Sequence, residues 1–218
     1  MKAQPPLPSL AIAGMIGPLF FIALVIAQGI LQPDYSHITM PISALAAWPA
    51  GWMQNLNFFV LGTLNAGLTI GLHNGIRPTR FGVIGILLLL MSCLGLLLAG
   101  LFPWINRNGI PTKTPEHVVG AVLTFSGAST GLLVLSRRMS ADPRWHSLSA
   151  YVLCTSIVMV FLFIVVGVFA VDAGTPFHRW AGFLQRVLVV VWIACQLVIA
   201  RRLLRIARDQ PVNSSGVA

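Results

Sequence analysis

Charge is scarce in this chain of 218 residues: Asp and Glu together number five, and the two lysines are Lys2 and Lys113. Charged residues make up 9% of the sequence, against about 25% in an ordinary soluble domain, so a water-soluble globule is excluded. No lysine lies within an apolar run, which excludes a retinal-type pigment with a buried Schiff base. Cysteine is equally sparse. Cys93, Cys154 and Cys195 stand singly inside hydrophobic runs with no CxxC pair, which supports neither a disulfide framework nor a zinc knuckle. They read as small apolar packing residues.

What is abundant is hydrophobic surface. Apolar residues reach 56% and the mean hydropathy is +0.85. Six runs are long enough to cross a bilayer, which takes about 20 residues of helix: Leu10–Leu31, Trp52–His73, Phe81–Phe102, Glu116–Ser136, Leu148–Val171 and Trp180–Ala200. The first is too long for the core of a signal peptide and lacks an A-x-A site after it, so it reads as a retained helix bent at Pro18. The expected architecture is all-α, one six-helix membrane domain over residues 1–208, with a polar, disordered tail at 209–218.

The net charge of +9 comes from residues in short turns and the tail, flanking the spans. That placement fits topology signals and contacts with membrane lipids, not nucleic acid. Lys2, Arg77, Arg80, Arg137, Arg138, Arg144, Arg201, Arg202, Arg205 and Arg208 fall on one side. Only Arg107, Lys113 and Arg179 fall in loops on the other. Ten against three places both termini in the cytoplasm and the protein in the plasma membrane. Trp48, Trp52, Trp104, Trp145 and Trp180 sit at the expected interfaces, and Trp192 deep in a helix. Small residues four apart, Gly62/Ala66, Gly67/Gly71, Gly95/Ala99 and Gly127/Gly131, predict close helix packing.

The longest connection, Pro33–Trp52, carries Asp34, Tyr35, Ser36, His37, Thr39 and Ser43 and no Lys or Arg. Ser36, Thr39 and Ser43 read as turn and cap residues, since no nucleophile pattern surrounds Ser36 or Ser43. Pro41–Trp48 predicts a short interfacial helix. On the same side lie Glu116, His117, Asp172 and His178. Imidazole and carboxylate suit zinc and similar ions, so His37, His117, His178 and Asp172 are metal candidates, drawn from separate loops. Haem between pairs of the helix-end histidines would be poorly enclosed.

Arg186 stands about 9 Å along its helix from the interfacial Trp180. A charge at such depth normally faces the bundle and has a partner. His178, Gly182, Gln185 and Arg186 share one helical face, and His117, Gly120, Thr124, Gly127 and Gly131 form a stripe on the fourth helix. The expectation is that these stripes face each other, with Arg186 neutralised by Glu116, Asp34 or Asp172. Arg186 then either fixes helix register or anchors an anionic head group. Asn57, Asn65 and Thr69 add a polar line to the second helix. Thr114-Pro115-Glu116-His117 and Thr175-Pro176-Phe177-His178 suggest a repeated helix start.

YSHITMPISALAAW, NLNFF, GLLLAGLFP, EHVVGAV and GFLQR occur in that order across residues 10 to 204. With these motifs the chain resembles the bacterial and archaeal six-helix membrane proteins of domain-of-unknown-function family 998. The resemblance implies a six-helix integral membrane protein in which Ser43, Pro103, His117, Gln185 and Arg186 match the family's polar positions. It implies no reaction. The acid usual after Phe-Pro in that family is replaced by Trp104-Ile105-Asn106.

Two functions remain open on these residues. One is binding or transport of a lipid head group or small anion through an outward polar pocket of Asp34, His37, Ser43, Glu116, His117, His178, Gln185 and Arg186. The other is a metal-assisted membrane hydrolase. The sequence names no cofactor and no oligomeric state.

Overall fold

The computed structural model describes residues 6–79, 82–170, 172 and 174–209. Lys2, Phe81, Arg80, Val171 and tail residues 210–218 lie outside that set. Six helices are long and apolar enough to cross a membrane: α1 (Leu7–Leu31), α2 (Gly51–Gly75), α3 (Gly82–Leu101), α4 (Pro115–Ser140), α5 (His146–Phe169) and α6 (Ala181–Arg208). Each packs on its neighbours in sequence and α6 returns to α1, closing a ring, while α2 also touches α6 across the middle. The start of α1 and the end of α6 share one face, where Leu10 and Leu203 meet around Gly71. The opposite face carries the long 32–50 connection and a β-hairpin.

Hydrophobic surface is distributed as lipid requires. α5 buries only Val152, Thr155, Ser156 and Met159 and turns Ile157, Phe161, Ile164 and Val168 outward. The tightest seam lies between α3 and α4. A Cβ added at Gly95 would stand 2.5 Å from Thr124 N, and one at Gly120 would stand 2.8 Å from Ala99 N, so only glycine lets these backbones meet.

Several expectations change. The stripe His117–Gly131 packs on α3, not α6: Gly120 meets Gly95 and Ala99, and Gly127 meets Leu88 and Ser92. Small residues follow the nearest backbone, and α3 supplies it. α4 and α6 run on past their expected ends to Ser140 and Arg208, and in those last turns Arg138 and Arg202 donate to backbone carbonyls. Trp145 is fully buried instead of interfacial, since its Nε1 donates to Gly75 O at 3.1 Å. Trp52 and Trp180 are exposed as an interface belt would have them.

The repeated helix start is not structural. Thr114 caps α4, its hydroxyl accepting from His117 N. Thr175 instead donates to Asp172 O in a turn, a 3₁₀ helix follows at His178–Trp180, and α6 begins at Ala181. The hairpin joins β1 (Ile105–Arg107) to β2 (Ile110–Thr112). Asn108 and Gly109 take positive φ, 53° and 84°, the pair that a two-residue hairpin turn demands.

Candidate functional site

The 32–50 connection is fastened to α6 by its backbone. Arg186 Nη1 donates to His37 O (2.7 Å), Met40 O (3.0 Å) and Gly182 O (2.9 Å). Its Nη2 donates to Tyr35 OH at 2.5 Å and to His37 Nδ1 at 3.2 Å. The buried Tyr35 passes its own proton to Met40 O and Pro41 O. Phe183 N, free at the start of α6, donates to Ile38 O at 3.0 Å. Gly182 is required beneath, since any Cβ there would collide with Met40 O.

Arg186 is therefore not neutralised by an acid. Five loop and helix acceptors satisfy the guanidinium, while Asp34 and Glu116 are exposed at the surface and Asp172 pairs with Lys113 at 2.7 Å. Partial desolvation, and then the charge of Arg186, hold His37 below the ordinary histidine pKa. Burial raises the Tyr35 pKa against the opposing pull of Arg186. The hydrogen bond from Lys113 lowers that of Asp172.

Beyond the clasp the chain turns inward as the expected short helix, a 3₁₀ turn over Ile42–Ala47. Ile42, Ser43, Ala44 and Leu45 are buried, and Gln185 Oε1 accepts from Ile42 N at 2.7 Å. This segment is a plug in the mouth of the bundle, not a loose lid.

Beside the plug, His117 is buried at 4% exposure. Its Nδ1 lies 3.2 Å from Ala99 O and 3.0 Å from Phe102 O, so Nδ1 carries the proton and Nε2 is the ring's acceptor. Ser43, His117 and Gln185 line two neighbouring voids. One is a pocket of about 40 Å³ walled by Phe21, Phe58 and Trp192. The other is a crevice of about 200 Å³ lined by Lys113, Trp104 and Val166 near the hairpin face and by Phe125 and Phe163 deeper in the bundle.

The structure thus brings together Ser43, His117 and Gln185 and joins His37 to Arg186. It leaves Asp34 and Glu116 apart, and places His178 on the surface with Nδ1 at 3.3 Å from Ala170 O. Among the described residues no three His, Cys, Asp or Glu side chains converge as a metal's ligands would. His37, His117, His178 and Asp172 each have another engagement.

Sequence reasoning passed over Lys113 as a loop charge, and over a buried knot on the opposite face. There Asp142 accepts from Arg77 N (2.9 Å), Arg144 N (3.0 Å) and Arg144 Nη2 (2.8 Å). Arg138 donates to His73 O, Ile76 O and Arg77 O, and Arg202 to Arg144 O. The signal was a lone acid amid basic turns. Gly127-Ala128-Ser129-Thr130-Gly131 has the spelling of a nucleophile elbow, yet it lies inside α4 and Ser129 Oγ donates to Phe125 O at 2.7 Å. The strand-to-helix turn that exposes such a serine is missing there.

The fold and the polar positions define a multi-pass, six-helix membrane protein. The chain belongs to the family described as Protein of unknown function (DUF998), whose model matches residues 15–202. No curated protein and no solved structure matches it.

Proposed function

We propose that the protein binds a membrane amphiphile with an anionic head in the crevice between the plug, α4, α5 and α6. The observation that carries this reading is the gradient along the crevice. Lys113, Ser43, His117 and Gln185 lie toward the hairpin face, and Phe125 and Phe163 lie deeper along α4 and α5, in about 200 Å³. Such a gradient matches a molecule with a charged head and an apolar tail. Lys113 supplies the charge, shared at rest with Asp172. Arg186, committed to the plug, holds the site's shape and does not touch the ligand. With the basic face inside, the crevice opens to the outer leaflet of the plasma membrane. The separated positions of His37, His117, His178 and Asp172 lend no support to the metal-hydrolase alternative.

Photo-crosslinking with diazirine-tailed phosphatidylglycerol in nanodiscs tests this. Wild type is expected to crosslink on α4 and α5 near Phe125 and Phe163. Lys113→Ala should reduce the yield several-fold, and Asp172→Asn, which frees Lys113, should raise it. Equal yield in all three, or equal yield with phosphatidylcholine, would overturn the proposal.

A further inference from the structure

Three helices turn polar side chains into one void near their midpoints. Asn65 and Thr69 of α2, Ser92 of α3 and Gln196 of α6 line a cavity of about 20 Å³, with Cys93 and Trp192 in its wall. Asn65, Ser92 and Gln196 are 4%, 3% and 7% exposed. Among the described residues, Asn65 Nδ2 and Oδ1, Ser92 Oγ and Gln196 Oε1 have no hydrogen-bond partner. Thr69 does not supply one, because its hydroxyl donates to Asn65 O at 2.8 Å.

A buried polar group left unpaired is destabilising, and native interiors pair nearly all of them. Lipid cannot supply the bonds. We infer that the cavity is a binding site for a single internal water at the middle of the membrane, held by Asn65, Ser92 and Gln196. A water needs about 10–15 Å³ of such space and two to four polar partners, and both conditions are met.

The chemistry of the wall selects water over a bare cation. Water both donates and accepts, so it pairs the Asn65 amide N–H as well as the oxygens of Asn65 and Gln196, with Ser92 able to play either role. A cation would leave that N–H unpaired, and no carboxylate lines the cavity. Trp192 also lines the 40 Å³ pocket beside His117, so the same side chain borders both spaces. The inference does not rest on the amphiphile reading, since the pairing of these atoms is the same whether or not the crevice holds lipid.

Radiolytic hydroxyl-radical footprinting of the full chain in nanodiscs reads the site, because radicals form from bound water. Cys93 and Trp192 are expected to oxidise several-fold faster than Cys195 and Trp145, residues of the same types that are fully buried and line none of these voids. In Asn65→Leu/Ser92→Ala/Gln196→Leu the Cys93 and Trp192 rates should fall to those of Cys195 and Trp145 with the helical circular-dichroism signal retained. Should that variant fail to fold, Ser92→Ala alone is expected to lower the Cys93 rate. Wild-type Cys93 reacting no faster than Cys195, and Trp192 no faster than Trp145, would overturn the inference. So would a melting temperature that rises with Na⁺ over choline in wild type only, which would make the occupant a cation.

Discussion

At the scale of single residues, Arg186 shows how a depth argument can be right while the partner is wrong. A guanidinium that far inside a helix was bound to have partners, and sequence reasoning looked for acids because acids have letters. Backbone carbonyls do not, and they are what it found, at His37, Met40 and Gly182. Arg186→Gln is expected to cost on the order of 3 kcal/mol, since bonds from a charged donor are lost together. Arg186→Lys should recover only part, as one ammonium cannot fork between Tyr35 and the carbonyls. Thermal melts in detergent check this; two variants melting with wild type would remove the clasp. Asp142 makes the second residue-scale prediction. Burial acts to raise its pKa, but the hydrogen bonds from Arg144 and from Arg77 N outweigh it and bring the pKa from 3.8 down to about 2. The unfolded chain then takes up the proton first. The stability from this carboxylate is complete above about pH 5 and is lost as the pH falls through 2, a loss on the order of 2 kcal/mol. Melts at pH 6 and pH 3 should differ more for wild type than for Asp142→Asn.

At the scale of elements, span length and hydropathy were enough to count six helices, because the bilayer makes both conditions unavoidable. Which stripe faces which neighbour was not legible. The glycines of α4 announce close packing, and only the ring order reveals that α3 receives them. The same Thr-Pro-x-His pattern at Thr114 and Thr175 produced a helix cap in one place and a turn in the other, because Asp172 O offered Thr175 a different partner. The Asn108-Gly109 hairpin was there to be read, since Asn-Gly is the preferred two-residue turn. Of the candidate site, Ser43, His117 and Gln185 could be picked out from the sequence as polar positions, while the crevice they line needed the plug. Two glycines separate packing from propensity. Gly120→Ala puts a Cβ 2.8 Å from Ala99 N and is expected to destabilise by about 1–3 kcal/mol. Gly167→Ala meets no atom within 4 Å and should be neutral or stabilising by up to about 1 kcal/mol through helix propensity. Similar melting shifts for the two would mean the α3–α4 seam is looser than described.

At the scale of the whole molecule, the two faces differ in how they use charge. The face with the start of α1 and the end of α6 gathers Arg138, Arg144 and Arg202 around carbonyls and the buried Asp142. The hairpin face carries few cations and places Lys113 at the head of the crevice. If membrane insertion followed the basic count, the hairpin face is external. Asn108→Cys and Ser140→Cys test it, both positions being exposed and on opposite faces. The native thiols do not interfere: Cys93 and Cys195 are buried, and Cys154 lies within the lipid-facing α5 where a charged reagent does not reach. A membrane-impermeant maleimide should label Asn108→Cys on intact cells and Ser140→Cys only after lysis. The reverse pattern would turn the molecule over and move the crevice to the inner leaflet. Its anionic ligand would then come from the cytoplasmic pool of lipid, leaving the chemistry of Lys113, Ser43, His117 and Gln185 as it is.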